Sequence, residues 1–92
     1  MNESIQIYRS HDGGHYFSFR VVQRVEHFDI FVLSHPGFNG QDTSPHKTHL
    51  FSDGRICIAA GAEPRDLPRA LELAKNWAEY VIEYRRTGIA QH

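Results

Sequence analysis

From Asp66 to Gly88 the chain carries one uninterrupted helical period, and that feature constrains most of what it can fold into. Leu67, Ala70, Leu71, Ala74, Trp77, Ala78, Val81 and Tyr84 recur at the spacing that lays apolar side chains along one face of an α-helix. Arg69, Glu72, Asn76, Glu79, Glu83 and Arg86 trace the opposite face. Asp66 is a good N-cap, and Pro68 falls in the first turn, where a missing N–H costs nothing. Arg85 and Arg86 suit the negative end of the helix dipole, and Gly88 is placed to close the helix in a left-handed conformation. A helix that is apolar along one face needs a second layer to cover it. The small Ala70, Ala74 and Ala78 predict a close approach to that layer.

The preceding two-thirds of the chain supplies strands. Ser4 to Ser10 alternates around Ile5 and Ile7, and Asp12-Gly13-Gly14 then lets the chain reverse. His15 to Gln23 places Phe17, Phe19 and Val21 on one face and Ser18 and Arg20 on the other, the pattern of a half-buried strand. Arg24-Val25-Glu26 is the next connection. Phe28 to Ser34 follows, with Phe28, Ile30 and Val32 on one side and Phe31 and Leu33 on the other, interrupted only by Asp29. A strand apolar on both sides is expected to be central or covered on both faces.

Between His35 and Pro45 periodicity disappears into Pro36-Gly37, Asn39-Gly40, Asp42, Ser44 and Pro45, with Phe38 as the expected anchor of a long loop. Thr48 to Ser52 and Arg55 to Ala59 then flank Asp53-Gly54, a strong hairpin signal. A two-residue loop there sets Phe51 opposite Ile56, Leu50 opposite Cys57 and His49 opposite Ile58. Phe51, His49, Ile56 and Ile58 then share one face, and Leu50 and Cys57 the other. The expected fold is therefore α+β, a single domain over residues 1–92. It consists of an antiparallel meander of four to five strands followed by one long C-terminal amphipathic helix packed on one face.

Bulk properties narrow the function classes. Ten basic residues against eleven acidic ones give a net charge of −1, without the Lys/Arg excess that a dedicated nucleic-acid binder uses to neutralise phosphates. The longest apolar run, Ile30 to Leu33, is far too short to span a bilayer, so no membrane partner is expected. A single cysteine excludes an intramolecular disulfide, and no signal peptide is evident at Met1-Asn2-Glu3-Ser4, so a cytoplasmic setting is expected. No Gly-rich phosphate loop and no Gly-x-Ser-x-Gly elbow is present, and no cofactor is called for.

Two roles are open to Cys57. It is either a nucleophile near His46 or His49, whose imidazoles favour thiolate, or a small apolar core residue between Ile56 and Ile58. His35, His46 and His49 fall within fifteen residues and, with Cys57, contain the donors of a zinc site. No Cys-x-x-Cys pair supports that arrangement, and on a strand His46 and His49 would face opposite sides, so no metal is expected.

The stretch His49-Leu50-Phe51-Ser52-Asp53-Gly54-Arg55-Ile56-Cys57-Ile58 resembles the active-site approach of ubiquitin-conjugating enzymes, where a histidine-containing turn leads to a thioester-forming cysteine. It is similar to bacterial relatives with a histidine, an aromatic residue, Asp-Gly and then cysteine. Tyr80-Val81-Ile82-Glu83-Tyr84-Arg85-Arg86-Thr87-Gly88 is similar to the tail of their final helix. The likeness covers about half the chain and has its firm core at Gly54-x-Ile56-Cys57. The chain is shorter than a complete conjugating enzyme and lacks its N-terminal helix. The asparagine that supports the oxyanion in that family falls here at His49, and no tryptophan closely follows Cys57. The resemblance implies a thioester carrier with Cys57 and His49 as catalytic residues. The residues read without it favour a non-catalytic protein-interaction or assembly module, with a protein partner or a second copy as occupant. Such a module would use the second face of the sheet or the helix flank of Leu73, Tyr80 and Ile82.

Overall fold

The computed structural model describes residues 2–90, which form one antiparallel sheet with a long helix across one of its faces. Strands β1 (Glu3–Arg9), β2 (Tyr16–Gln23) and β3 (Phe28–Ser34) lie in the order β1-β2-β3. Helix α1 (Pro45–Thr48) is a single turn, and α2 (Leu67–Thr87) is the amphipathic helix.

Its boundaries follow from cap chemistry. The Asp66 carboxylate accepts from the Arg69 N–H at 2.8 Å, and Gly88, at φ 70°, donates its N–H to the Tyr84 carbonyl at 2.8 Å. At this positive φ a glycine is favoured, and a Cβ would also displace the Gln41 carboxamide, whose Oε1 would lie 2.7 Å from it.

The β1–β2 register sets Tyr8 opposite Phe17 and Gln6 opposite Phe19, and β2–β3 sets Phe19 opposite Val32 and Val21 opposite Ile30. Phe17, Phe19, Val21 and Ile30 therefore form a fully buried floor against Ala70, Ala74, Trp77, Ala78 and Val81. Alanines in α2 let its backbone approach, and Trp77 packs edge-on against Phe17 and Phe19 at centroid separations of 6.0 and 6.2 Å.

Alternation in β1 runs the other way. Ile5 and Ile7 lie on the face that no helix covers and are 57 % and 76 % exposed, and Leu33 on that face is 52 % exposed. Of the two expectations for β3, coverage on both faces fails, because one helix seals one face; its far edge is bonded, with Ile56 N–H donating to Ile30 O and Val32 N–H to Gly54 O. Phe31 is half-buried by the Arg20 guanidinium, 4.8 Å from its ring centre.

The sheet has three strands, short of the four to five expected. The hairpin after α1 contributes only two isolated bridges, Phe31–Arg55 and Leu50–Ile56, because Thr48 is taken into the helical turn and the chain leaves β3 after Ile56. The hairpin register is also shifted by one residue. Phe51 N–H donates to Arg55 O at 2.9 Å and Gly54 N–H to Phe51 O at 2.9 Å, so the loop holds three residues, Ser52-Asp53-Gly54. Gly54 alone of these has positive φ, at 90°, whereas a two-residue turn of the expected type needs it at Asp53 as well. Leu50 thus faces Ile56, Phe51 faces Arg55, and Cys57 faces His49 rather than Leu50.

Loop 35–44 is laced to the last turns of α2. Phe38, the expected anchor, packs against Tyr84, whose hydroxyl donates to Asp42 O at 2.6 Å. No helix among the described residues is long and apolar enough to cross a membrane.

A candidate thiol groove between hairpin and helix

The one-residue shift has a chemical consequence. In the expected register Cys57 pairs with Leu50; in the structure it faces His49 and is exposed, so of its two open roles the core one is overturned. Its N–H donates to the His49 carbonyl at 2.8 Å, which fixes the two residues across the hairpin from one another.

His49 is held from three directions. It ends α1 in a left-handed conformation, φ 55° and ψ 34°, with its N–H donating to Pro45 O at 2.7 Å. Behind it, Trp77 Nε1–H donates to Thr48 O at 2.9 Å from a buried position, and the Tyr80 hydroxyl donates to Lys47 O. The imidazole packs on the Tyr80 ring at 5.2 Å between centres. Two side chains of α2 therefore grip the last carbonyls of α1 and set His49 at the rim of a groove.

That groove, of about 390 Å³, has Cys57, Ile58, Ala59 and Ala62 along one wall and Arg69, Leu73, Asn76 and Tyr80 along the other. Apolar surface forms the floor at Ile56 and Trp77, and polar groups from Asn76 and Arg69 stand at its edge. The Cys57 thiol shares that groove with an apolar floor and with His49, Tyr80 and Asn76. A second concavity, of about 480 Å³ by Asn2, Gln23, Arg24 and Val25, contains no nucleophile.

Of the residues singled out in the sequence, Cys57, His49, Leu73 and Tyr80 come together in this groove. Ile82 does not; it is half-buried against the core. Asn76 and Arg69 were not singled out, being assigned to the polar face of the helix. Asn76 directly precedes the buried Trp77, which is the available sign that it borders the covered face. His35 lies apart, packed on Phe38 with its Nδ1 2.6 Å from Pro36 O. Among the described residues no group of three or more histidine, cysteine or acidic side chains is gathered to hold a metal ion.

No family model, curated protein or solved structure matches this chain.

Proposed function

We propose that the chain is a protein-modifying thiol carrier of the ubiquitin-conjugating type, in which Cys57 accepts an acyl group as a thioester. The observation that carries this reading is the exposure of Cys57 in a groove, across the hairpin from His49. Cysteine in an apolar strand is usually buried, so an exposed one in a concave site calls for a reason. The likeness of His49 to Ile58 to the active-site approach of conjugating enzymes supports the same chemistry.

The step is a transthioesterification. The Cys57 thiolate attacks the carbonyl carbon of a donor thioester, a new C–S bond forms, and the donor's C–S bond breaks. The displaced donor thiolate takes up a proton. An acceptor amine then attacks the Cys57 thioester, forming an amide and returning the thiol. In this reading His49, which lines the same groove, takes the thiol proton or steadies the tetrahedral oxyanion, and Asn76 supplies a carboxamide donor. Such a protein works in a reducing compartment, and a cytoplasmic setting suits it.

The test uses a short peptide activated as a C-terminal thioester. A Cys57 adduct is expected, larger by the peptide acyl mass, cleaved by hydroxylamine, absent from Cys57→Ala and slower to form in His49→Ala. Failure of the folded protein to form it, where a small free thiol does, rejects the reading.

A second reading, a non-catalytic interaction or assembly module, has its own support in the exposed Ile5, Ile7 and Leu33 on the uncovered face of the sheet.

A further inference from the structure

We propose that two copies of this chain pair through β1, antiparallel and centred on Gln6, joining two three-stranded sheets into one of six strands. The inference deepens the assembly reading and is independent of the chemistry of Cys57.

β1 is a sheet edge. Just beyond its ends, Gln23 N–H donates to Asn2 O at 2.8 Å and Ser10 N–H donates to His15 O at 2.9 Å. Antiparallel ladders alternate, so the even-numbered Ser4, Gln6 and Tyr8 turn their backbone groups toward β2. Glu3, Ile5, Ile7 and Arg9 turn theirs outward, away from the sheet.

Edges of this length are normally protected by a proline, a bulge or a central lysine. The interior of β1 is Ser-Ile-Gln-Ile-Tyr, and its pairing with β2 is regular from Glu3 to Arg9. Elsewhere on the uncovered face, guanidinium groups lie over the aromatic rings: Arg9 on Tyr16, Arg20 on Phe31 and Arg55 on Phe51. Ile5 and Ile7 remain 57 % and 76 % exposed.

The occupant follows from the charge pattern. A strand using the outward groups of β1 must set an odd-numbered residue against an odd-numbered one. Among such registers, the one centred on Gln6 pairs all seven residues. It sets Glu3 against Arg9 of the second copy, and Ile5 against its Ile7, twice over by symmetry. All four lie on the uncovered face. Opposite charges at equal distances from the centre make the strand complementary to itself. Glu3 already accepts from Arg20 at 3.1 Å and Arg9 Nε from within its own copy donates to Gly13 O at 3.0 Å, so each dimer contact joins an existing exposed cluster. A two-fold axis perpendicular to the sheet keeps both α2 helices on one side and gathers four isoleucines on the other.

One strand pair is a small interface, and a micromolar association is expected. Sedimentation velocity across a concentration series should show a monomer–dimer equilibrium in wild type and equally in Cys57→Ser. Glu3→Arg and Arg9→Glu should each weaken dimerisation, by roughly tenfold or more, through like charges at both ends. An equimolar mixture of the two variants should dimerise again, because the mixed pair restores both attractions. Ile5→Pro removes an outward N–H without touching the β2 ladder and should be monomeric with an unchanged circular dichroism spectrum. A wild type that stays monomeric at several hundred micromolar overturns the proposal, as does a mixture no better associated than its components. In either case, capture of a different protein on the same face would leave the broader assembly reading standing.

Discussion

The two faces of the sheet differ in what holds them. On the helix side Phe17, Phe19, Val21 and Ile30 are sealed by α2, and the packing is aromatic and close. On the other side no helix covers the strands, and the face is held by Arg–aromatic stacks and by the Arg24–Asp29 and Arg20–Glu3 ion pairs. Buried apolar surface stabilises far more than exposed ion pairs, so most of the stability resides on the helix side.

Substitutions should break along that division. Trp77→Ala removes the ring that packs on both phenylalanines and the donor to Thr48 O. A loss of about 3–5 kcal/mol is expected in chemical denaturation, enough to threaten folding. Gly54→Val forces a β-branched residue to φ 90°, at about 1–2 kcal/mol, and should also alter the accessibility of Cys57 by disturbing the shifted register. Tyr8→Phe loses the hydroxyl bond to Glu79 on the helix side, at about 1 kcal/mol.

That tyrosine also sharpens the pH dependence. Burial, then the neighbouring Glu79, pushes its pKa up to about 12. The folded value lies above the unfolded one, so its contribution is complete below about pH 10 and is lost as pH rises through the folded value. On the uncovered face the sign is opposite. Burial raises the Asp29 pKa, but hydrogen bonds and charge from Arg24 and His27 outweigh it and hold the carboxyl below its ordinary value. Its contribution is present above about pH 4 and fades as pH falls through the folded value, so Asp29→Asn should flatten the acid limb of a stability profile. Smallest of all, Ile7→Ser should change monomer stability by no more than about 0.5 kcal/mol, measured at concentrations too low for association.

The helix was legible in the sequence to within a residue because each end carries its own local chemistry, a carboxylate at Asp66 and a glycine at Gly88. The strands were legible as strands, but alternation says only which residues share a face. Ile5 and Ile7 share one that happens to be uncovered, while Tyr8 and Gln6 face the helix side. The hairpin was legible as a hairpin and misread in register. Gly54 fits a two-residue and a three-residue loop equally, and the conformation of Asp53 decides between them. That single residue moved Cys57 from opposite Leu50 to opposite His49. Helix α1 is too short for periodicity to reveal, although Ser44-Pro45 is a plausible start signal. The grip of Trp77 and Tyr80 on its carbonyls joins residues about thirty positions apart and has no local sign.

The account turns on Cys57, and alkylation of the folded protein tests it most directly. With iodoacetamide near neutral pH and no denaturant, followed by intact-mass spectrometry, Cys57 should label completely at a rate near that of an unhindered thiol. Labelling only after denaturation would place the thiol in the core and contradict the groove.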